Sequence, residues 1–216
     1  MTESGSLPSL AGGSVFVSAS IPDAERWQGV FDALAITDAV VSVARAVLAS
    51  GGRLVTAAHP TIAPLLLYVA AEQPPSLEPL VVVYQSDVFR DVWPQATLRF
   101  EEQRVGTVIR TPAVDGEPAD PRRAPRSLEL MRQRLLADDS LVAAVFIGGM
   151  EGIPREHALF REAHPGAPTY ALAKPGGEAS VLVAASPPLL HEVLATEDIY
   201  PAVARAIVAD IAASRR

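Results

Sequence analysis

Cysteine is absent from all 216 residues. That excludes disulfides, thiolate nucleophiles and the sulfur ligands of most structural zinc sites, and it fits a reducing compartment. Histidine is scarce. His157, His164 and His191 have no metal-ligand spacing and are read as surface residues, so no metal site is expected. Positive charge is also short: the net charge is −7. The Arg122-Arg123 pair and Arg126 sit among prolines and read as a solvated loop, so no nucleic-acid partner is expected. No apolar run approaches the roughly 20 residues of a membrane span. The opening MTESGSLPSLAGGS has neither the basic nor the apolar region of a signal peptide, which makes a cytoplasmic location the expectation. The patterns GxxxxGK[ST] and GxGxxG and a Ser-His-Asp nucleophile elbow are all missing. NTPases, ordinary dinucleotide dehydrogenases and serine hydrolases are therefore disfavoured.

What is present is a succession of buried strands and amphipathic helices. Strands are expected over Ser14–Ser20, Arg53–Ala58, Leu80–Ser86, Ala96–Phe100, Val105–Arg110, Val142–Ile147 and Pro168–Ala173. Helices are expected over Trp27–Leu34, Ile36–Ala49 with Thr37 as N-cap, Thr61–Ala71, Ser127–Asp138, Glu156–Ala163, Pro187–Leu194 and Ile199–Ala213. Leu182–Ala185 reads equally as a strand or a helix end. Gln73–Pro79 and the proline-rich Thr111–Pro125 are loops, Asp87–Pro94 is irregular, and Met1–Gly13 is a flexible N-terminus. Continuous apolar strands alternating with helices mean a mainly parallel sheet covered on both faces, within a single domain over residues 14–216. In such a sheet ligands bind beyond the carboxyl ends of the strands. That rule gathers Ser18 and Ser20, His59, Gly148 and Gly149, and Gly176 and Gly177.

The stretch VAAVFIGGMEGIPREHALF, Val142–Phe160, is the centre of this pattern. A buried strand breaks at Gly148-Gly149, and a helix follows Gly152. Such a turn presents backbone N–H groups to an anion. Two flanking charges stand where the periodicity calls for hydrophobes. Arg132 falls within the stripe Leu128, Met131, Leu135 and Leu136. Glu156 lies three, four and seven residues before Leu159, Phe160 and Ala163. Either charge buried alone would cost several kcal/mol. A buried Arg132–Glu156 ion pair with no other duty is one explanation. The other gives Arg132 a phosphate or ribose and Glu156 a sugar hydroxyl or a bound water. His59 could hydrogen-bond a phosphate or a ring, or simply begin a helix. Ser18 and Ser20 could bind phosphate or cap the following turn, and Tyr170 could stack on a base.

The ordered set resembles the SLOG superfamily, the Rossmann-like group that includes the LOG phosphoribohydrolases. IGGMEGIPRE, Ile147–Glu156, stands where LOG proteins carry PGGxGTxxE. Glu156 follows Gly152 by the family interval, and Arg132 precedes Gly148 by the spacing of the family's helix arginine. VFVSASIP and GRLVTAAHPTIAPL extend the likeness from Ser14 to about Ala185. GGMEG is closer to the branches found as nucleotide sensors in bacterial conflict systems. This chain inserts one residue, so that Met150-Glu151 replaces a single position. Ile147, Ile153 and Gln133 replace the family proline, threonine and lysine. The resemblance implies a Rossmann-like three-layer sandwich without a cofactor. It implies a nucleotide-type ligand such as AMP, ADP-ribose or a cyclic relative, held by Ser18, Ser20, His59, Arg132, Gly148, Gly149, Met150, Gly152, Glu156, Gly176 and Gly177. A phosphoribohydrolase acting through Arg132 and Glu156 is the enzyme alternative, and an interaction module without a ligand is the third. The inserted residue favours binding over hydrolysis. The closing helices could support a homodimer, and a sensor would also meet an effector protein.

Overall fold

A computed structural model describes residues 9–74, 76, 78–93 and 95–215. The expectations that touch residues 1–8, Pro75, Leu77 and Pro94 lie outside the described residues. Six strands form one sheet in the order β4-β3-β2-β1-β5-β6. They are β1 (Ser14–Ser20), β2 (Arg53–Ala57), β3 (Val81–Ser86), β4 (Gly106–Thr111), β5 (Leu141–Gly148) and β6 (Thr169–Leu172). Every pairing is parallel. This is a Rossmann-like α/β sandwich.

Strand alternation sends side chains to two separate cores. Val15 and Val17 of β1 join the core under α1 (Ala33–Ala49), α2 (Ile62–Ala71) and α7 (Tyr200–Ser214). Phe16 points the other way, into the core under α4 (Pro125–Leu136) and α5 (Gly152–Ala163). There it meets Phe146 edge-on at 6.1 Å and stacks on Phe160 at 6.4 Å. Apolar residues on both faces explain why β1, β3 and β5 read as unbroken hydrophobic runs.

Several local expectations are corrected. Of Trp27–Leu34 only Ala33 and Leu34 are helical, as the start of α1; Phe31 bridges to Gly176, and Asp32 is the extended N-cap of α1, its Oδ1 accepting from the N–H groups of Leu34 and Ala35. Thr37 therefore lies inside the helix and its hydroxyl donates to the Ala33 carbonyl. Ala96–Phe100 is not a strand but part of α3 (Gln95–Glu102). Helical spacing buries Thr97 and puts Phe100 against the first core, while Glu101 on the next turn accepts from Arg110 and the Val108 N–H of β4. Glu178–Ala185 is 3₁₀ helix, as is Pro188–Leu190, which runs into the short α6 (His191–Thr196). Leu10, expected in a flexible segment, is fully buried and its N–H donates to the Ser50 carbonyl. The three histidines read as surface residues are half-buried. His164 and His191 hydrogen-bond the carbonyls of Leu136 and Ser186, and His157 packs edge-on against Phe146. No helix among the described residues is long and apolar enough to cross a membrane.

Candidate functional site

The chain leaves β1 towards β2 and leaves β5 towards β6, on opposite sides. Their shared carboxyl edge is the crevice where open parallel sheets take ligands. A cleft of about 750 Å³ opens there, between the ends of β1, β2 and β3, the inner side of α4 and the start of α5. That volume is in the range of small-molecule sites. Ser18, Ser20, His59, Arg132, Met150, Gly152 and Glu156 line it together. Gly148, Gly149, Gly176 and Gly177 do not line it; they shape the turn. Tyr170 is in neither place. It is fully buried, and its hydroxyl donates to Asp210 at 2.7 Å, so it cannot stack on a base.

The turn needs glycine for two reasons. Gly148 and Gly149 have φ of 65° and 74°, and a Cβ on Gly149 would stand 2.3 Å from Ile153. A Cβ on Gly177 would sit 2.5 Å from the backbone of Gly148. The second glycine pair therefore supports the first from behind, backbone against backbone. The Gly149 N–H donates to Ser20 at 2.7 Å, and the Glu178 N–H donates to Gly149 at 2.9 Å. So anchored, the chain enters α5 at Gly152, four residues before the expected start at Glu156. Glu151 takes the N-cap position without a side-chain capping bond. The N–H groups of Met150, Glu151 and Gly152 carry no hydrogen bond to another described residue. Open donors at the start of a twelve-residue helix are the kind of edge that favours an anion.

Beside this edge, Arg132 and Glu156 form the pair that the periodicity placed inward. Arg132 Nε donates to Glu156 Oε1 at 3.0 Å, and their side chains are 20% and 13% exposed. The Ser18 hydroxyl donates to the other carboxylate oxygen, Oε2, at 2.6 Å. Glu156 is thus held at both oxygens, by α4 on one side and β1 on the other. The missing side chain of Gly152 makes room, since a Cβ there would lie 3.2 Å from the Arg132 guanidinium. Met150 and Glu151, the two residues that stand at a single family position, differ in exposure. Both line the cleft, Met150 half-buried and Glu151 largely exposed, where it pairs with Arg26 at 2.5 Å. At the β2 end, His59 is pushed below the usual histidine range by burial. Its Nδ1 lies 3.0 Å from the Thr61 hydroxyl and 3.4 Å from the Thr61 N–H, which donates to it. A ring that accepts at Nδ1 from the Thr61 N–H presents its own N–H at Nε2.

Other lining residues gave little sequence signal. Arg26 and the Arg155–Glu129 ion pair lie at the rim. Phe89, Val92 and Trp93 come from the 3₁₀ segment Asp87–Val92 and the residue after it. Gln85 did carry a signal, as the one amide in the apolar run LVVVYQS.

The fold and the cleft together define a Rossmann-like protein with its site at the sheet's switch point. The chain belongs to the SLOG cluster3 family, whose model matches residues 26–206. Membership supports a nucleotide-related function in general terms. No curated protein matches the chain. The crystal structure of the protein TM1055 is similar in fold, with a TM-score of 0.53 at 14% identity, covering 80% of this chain and 81% of that one.

Proposed function

We propose that the chain binds a nucleotide or nucleotide derivative in the switch-point cleft. The observation that carries this reading is the row of open N–H groups at Met150, Glu151 and Gly152 next to the doubly held Glu156. A phosphate on those N–H groups is stabilised by the helix dipole and by Arg132. Each Glu156 oxygen keeps a free lone pair for a ribose hydroxyl. Ser18, Ser20 and Met150 flank the sugar. Because both oxygens of Glu156 are already engaged, the carboxylate suits ribose recognition better than free movement as an acid or base. The ligand class is AMP, ADP-ribose or a cyclic relative, and the role is that of a sensor acting on an effector protein. The Arg132–Glu156 contact inside the cleft supports a second reading, phosphoribohydrolase activity, with Arg132 holding the phosphate and Glu156 assisting water or a developing oxocarbenium ion.

Thermal shift against AMP, ADP-ribose and cyclic ADP-ribose, with base release followed in parallel, tests both. A shift without release is expected. Release that disappears in Glu156→Ala would favour the enzyme instead. No shift with any compound would leave only an interaction module.

A further inference from the structure

The cleft has a second end, away from the glycine turn. We propose that this end, built from Gln85, His59, Phe89 and Trp93, is a subsite for a planar hydrogen-bonding ring such as the base of a nucleotide. The proposal rests on the nucleotide reading and adds which part of the ligand is read where.

Gln85 is the central group. It is 5% exposed, yet it lines the cleft. Its Nε2 donates to the Ser86 carbonyl at 3.1 Å, and its Oε1 has no hydrogen bond to any described residue. Oε1 is not among the fully buried atoms, so it opens to the cleft, and the amide keeps an acceptor and a second N–H for a ligand. The amide edge of a heteroaromatic base offers the matching donor and acceptor. The neighbours supply flat apolar walls. Gln85 is the register partner of Arg110 on β4, and the Arg110 guanidinium lies 4.8 Å from the centre of the Trp93 ring. That contact covers one face of the indole, and Trp93 lines the same cleft as Gln85. Phe89, from the same segment, adds a second ring to the lining. The neighbouring β2 end is tied to β3 by the Ala58 N–H, which donates to the Tyr84 carbonyl at 2.9 Å, and the next residue, His59, also lines the cleft. The Nε2–H of His59 has no partner among the described residues. One end of the cleft is thus built of anion donors and a carboxylate. The other is built of rings and two polar side chains that keep hydrogen-bonding groups open to the cleft. A nucleotide has the same division along its length.

The test is isothermal titration of the wild type and Gln85→Leu with ribose 5-phosphate and the four common nucleoside monophosphates. At least one nucleotide is expected to bind about tenfold or more tighter than ribose 5-phosphate. Gln85→Leu should remove that advantage and leave ribose 5-phosphate unchanged. Nucleotides that bind no better than ribose 5-phosphate, or an advantage that survives Gln85→Leu, would overturn the subsite while the phosphate reading stands. If no phosphate compound binds, the phosphate reading fails, and the subsite is judged by the four nucleosides in a Trp27→Phe background. Trp93 is then the only tryptophan, and a nucleoside seated beside it quenches its fluorescence. Saturable quenching would sustain the subsite; none would overturn it. This arm needs no Gln85 variant, so it holds even if Gln85→Leu does not fold.

Discussion

The contact between Arg132 and Glu156 sets the sharpest quantitative test. Replacing Glu156 by Ala removes the partner of a guanidinium whose side chain is only 20% exposed, and it takes the acceptor from Ser18. Two unit charges 3–4 Å apart attract by about 4–6 kcal/mol at an effective dielectric near 20. Water reaches both side chains through the cleft, so the coupling is reduced to about 1–2 kcal/mol, between exposed and fully buried pairs. The stranded Ser18 hydroxyl and Arg132 bring the total for Glu156→Ala to about 2–4 kcal/mol. At roughly 2–4 °C per kcal/mol for a chain of this length, the melting temperature should fall by about 4–16 °C. Urea unfolding of the wild type, Arg132→Ala, Glu156→Ala and the double variant forms the cycle. Equal m-values must hold for the comparison to be one of stability. A coupling below about 0.3 kcal/mol would refute the argument, because it would mean that the pair is separated by solvent and that periodicity had buried no real charge. Repeating the cycle with saturating AMP asks the functional question. A ligand held by both residues should stabilise the wild type and lose most of that gain in either single variant.

Two further outcomes follow from the geometry. Gly177→Ala lies outside the cleft, yet its Cβ would press on the Gly148 backbone at 2.5 Å with φ of 74°; it should cost about 1–3 kcal/mol and weaken AMP binding as well. Titration of that variant beside a urea melt checks both effects, and unaltered binding would show that the turn does not depend on its rear support. Glu117 supplies a pH prediction. Burial raises its pKa, but this is outweighed by hydrogen bonds from Ser127 and Arg126, so its carboxyl titrates at about 2. A depressed carboxyl stabilises the fold above its unfolded pKa and loses that contribution as pH falls. Glu117→Gln should therefore melt below the wild type at pH 7, with the gap closing between pH 5 and pH 2; a gap independent of pH would contradict the assignment.

Much of the site was legible because charge and glycine are expensive in the wrong place. Arg132 and Glu156 broke two apolar stripes, and Gly148-Gly149 broke a strand. Those violations mark the α4–α5 side of the cleft in the sequence itself. The β2–β3 side was less legible. Phe89 lies in a 3₁₀ segment without periodicity and Trp93 directly follows it, and Arg26 lies in a turn just before the stretch Trp27–Leu34, whose pattern reads as helix. Ala96–Phe100 failed for a different reason. Its short alternation fits a strand as well as a helix, and only the contacts of Phe100 and Glu101 with the rest of the fold select the helix.

By itself, then, the sequence determined a parallel sheet with two covered faces and a glycine turn that must bend backwards. Burial of long apolar runs and the steric freedom of glycine leave little alternative. The tertiary structure decided what the turn leans on and what Glu156 touches. Gly177 meets Gly148 across 29 positions of chain, and Ser18 reaches Glu156 across 138. Contacts of that range follow from the order in which the strands assemble, which no local pattern encodes. The same assembly brought Gln85, His59 and Trp93 to one end of the cleft.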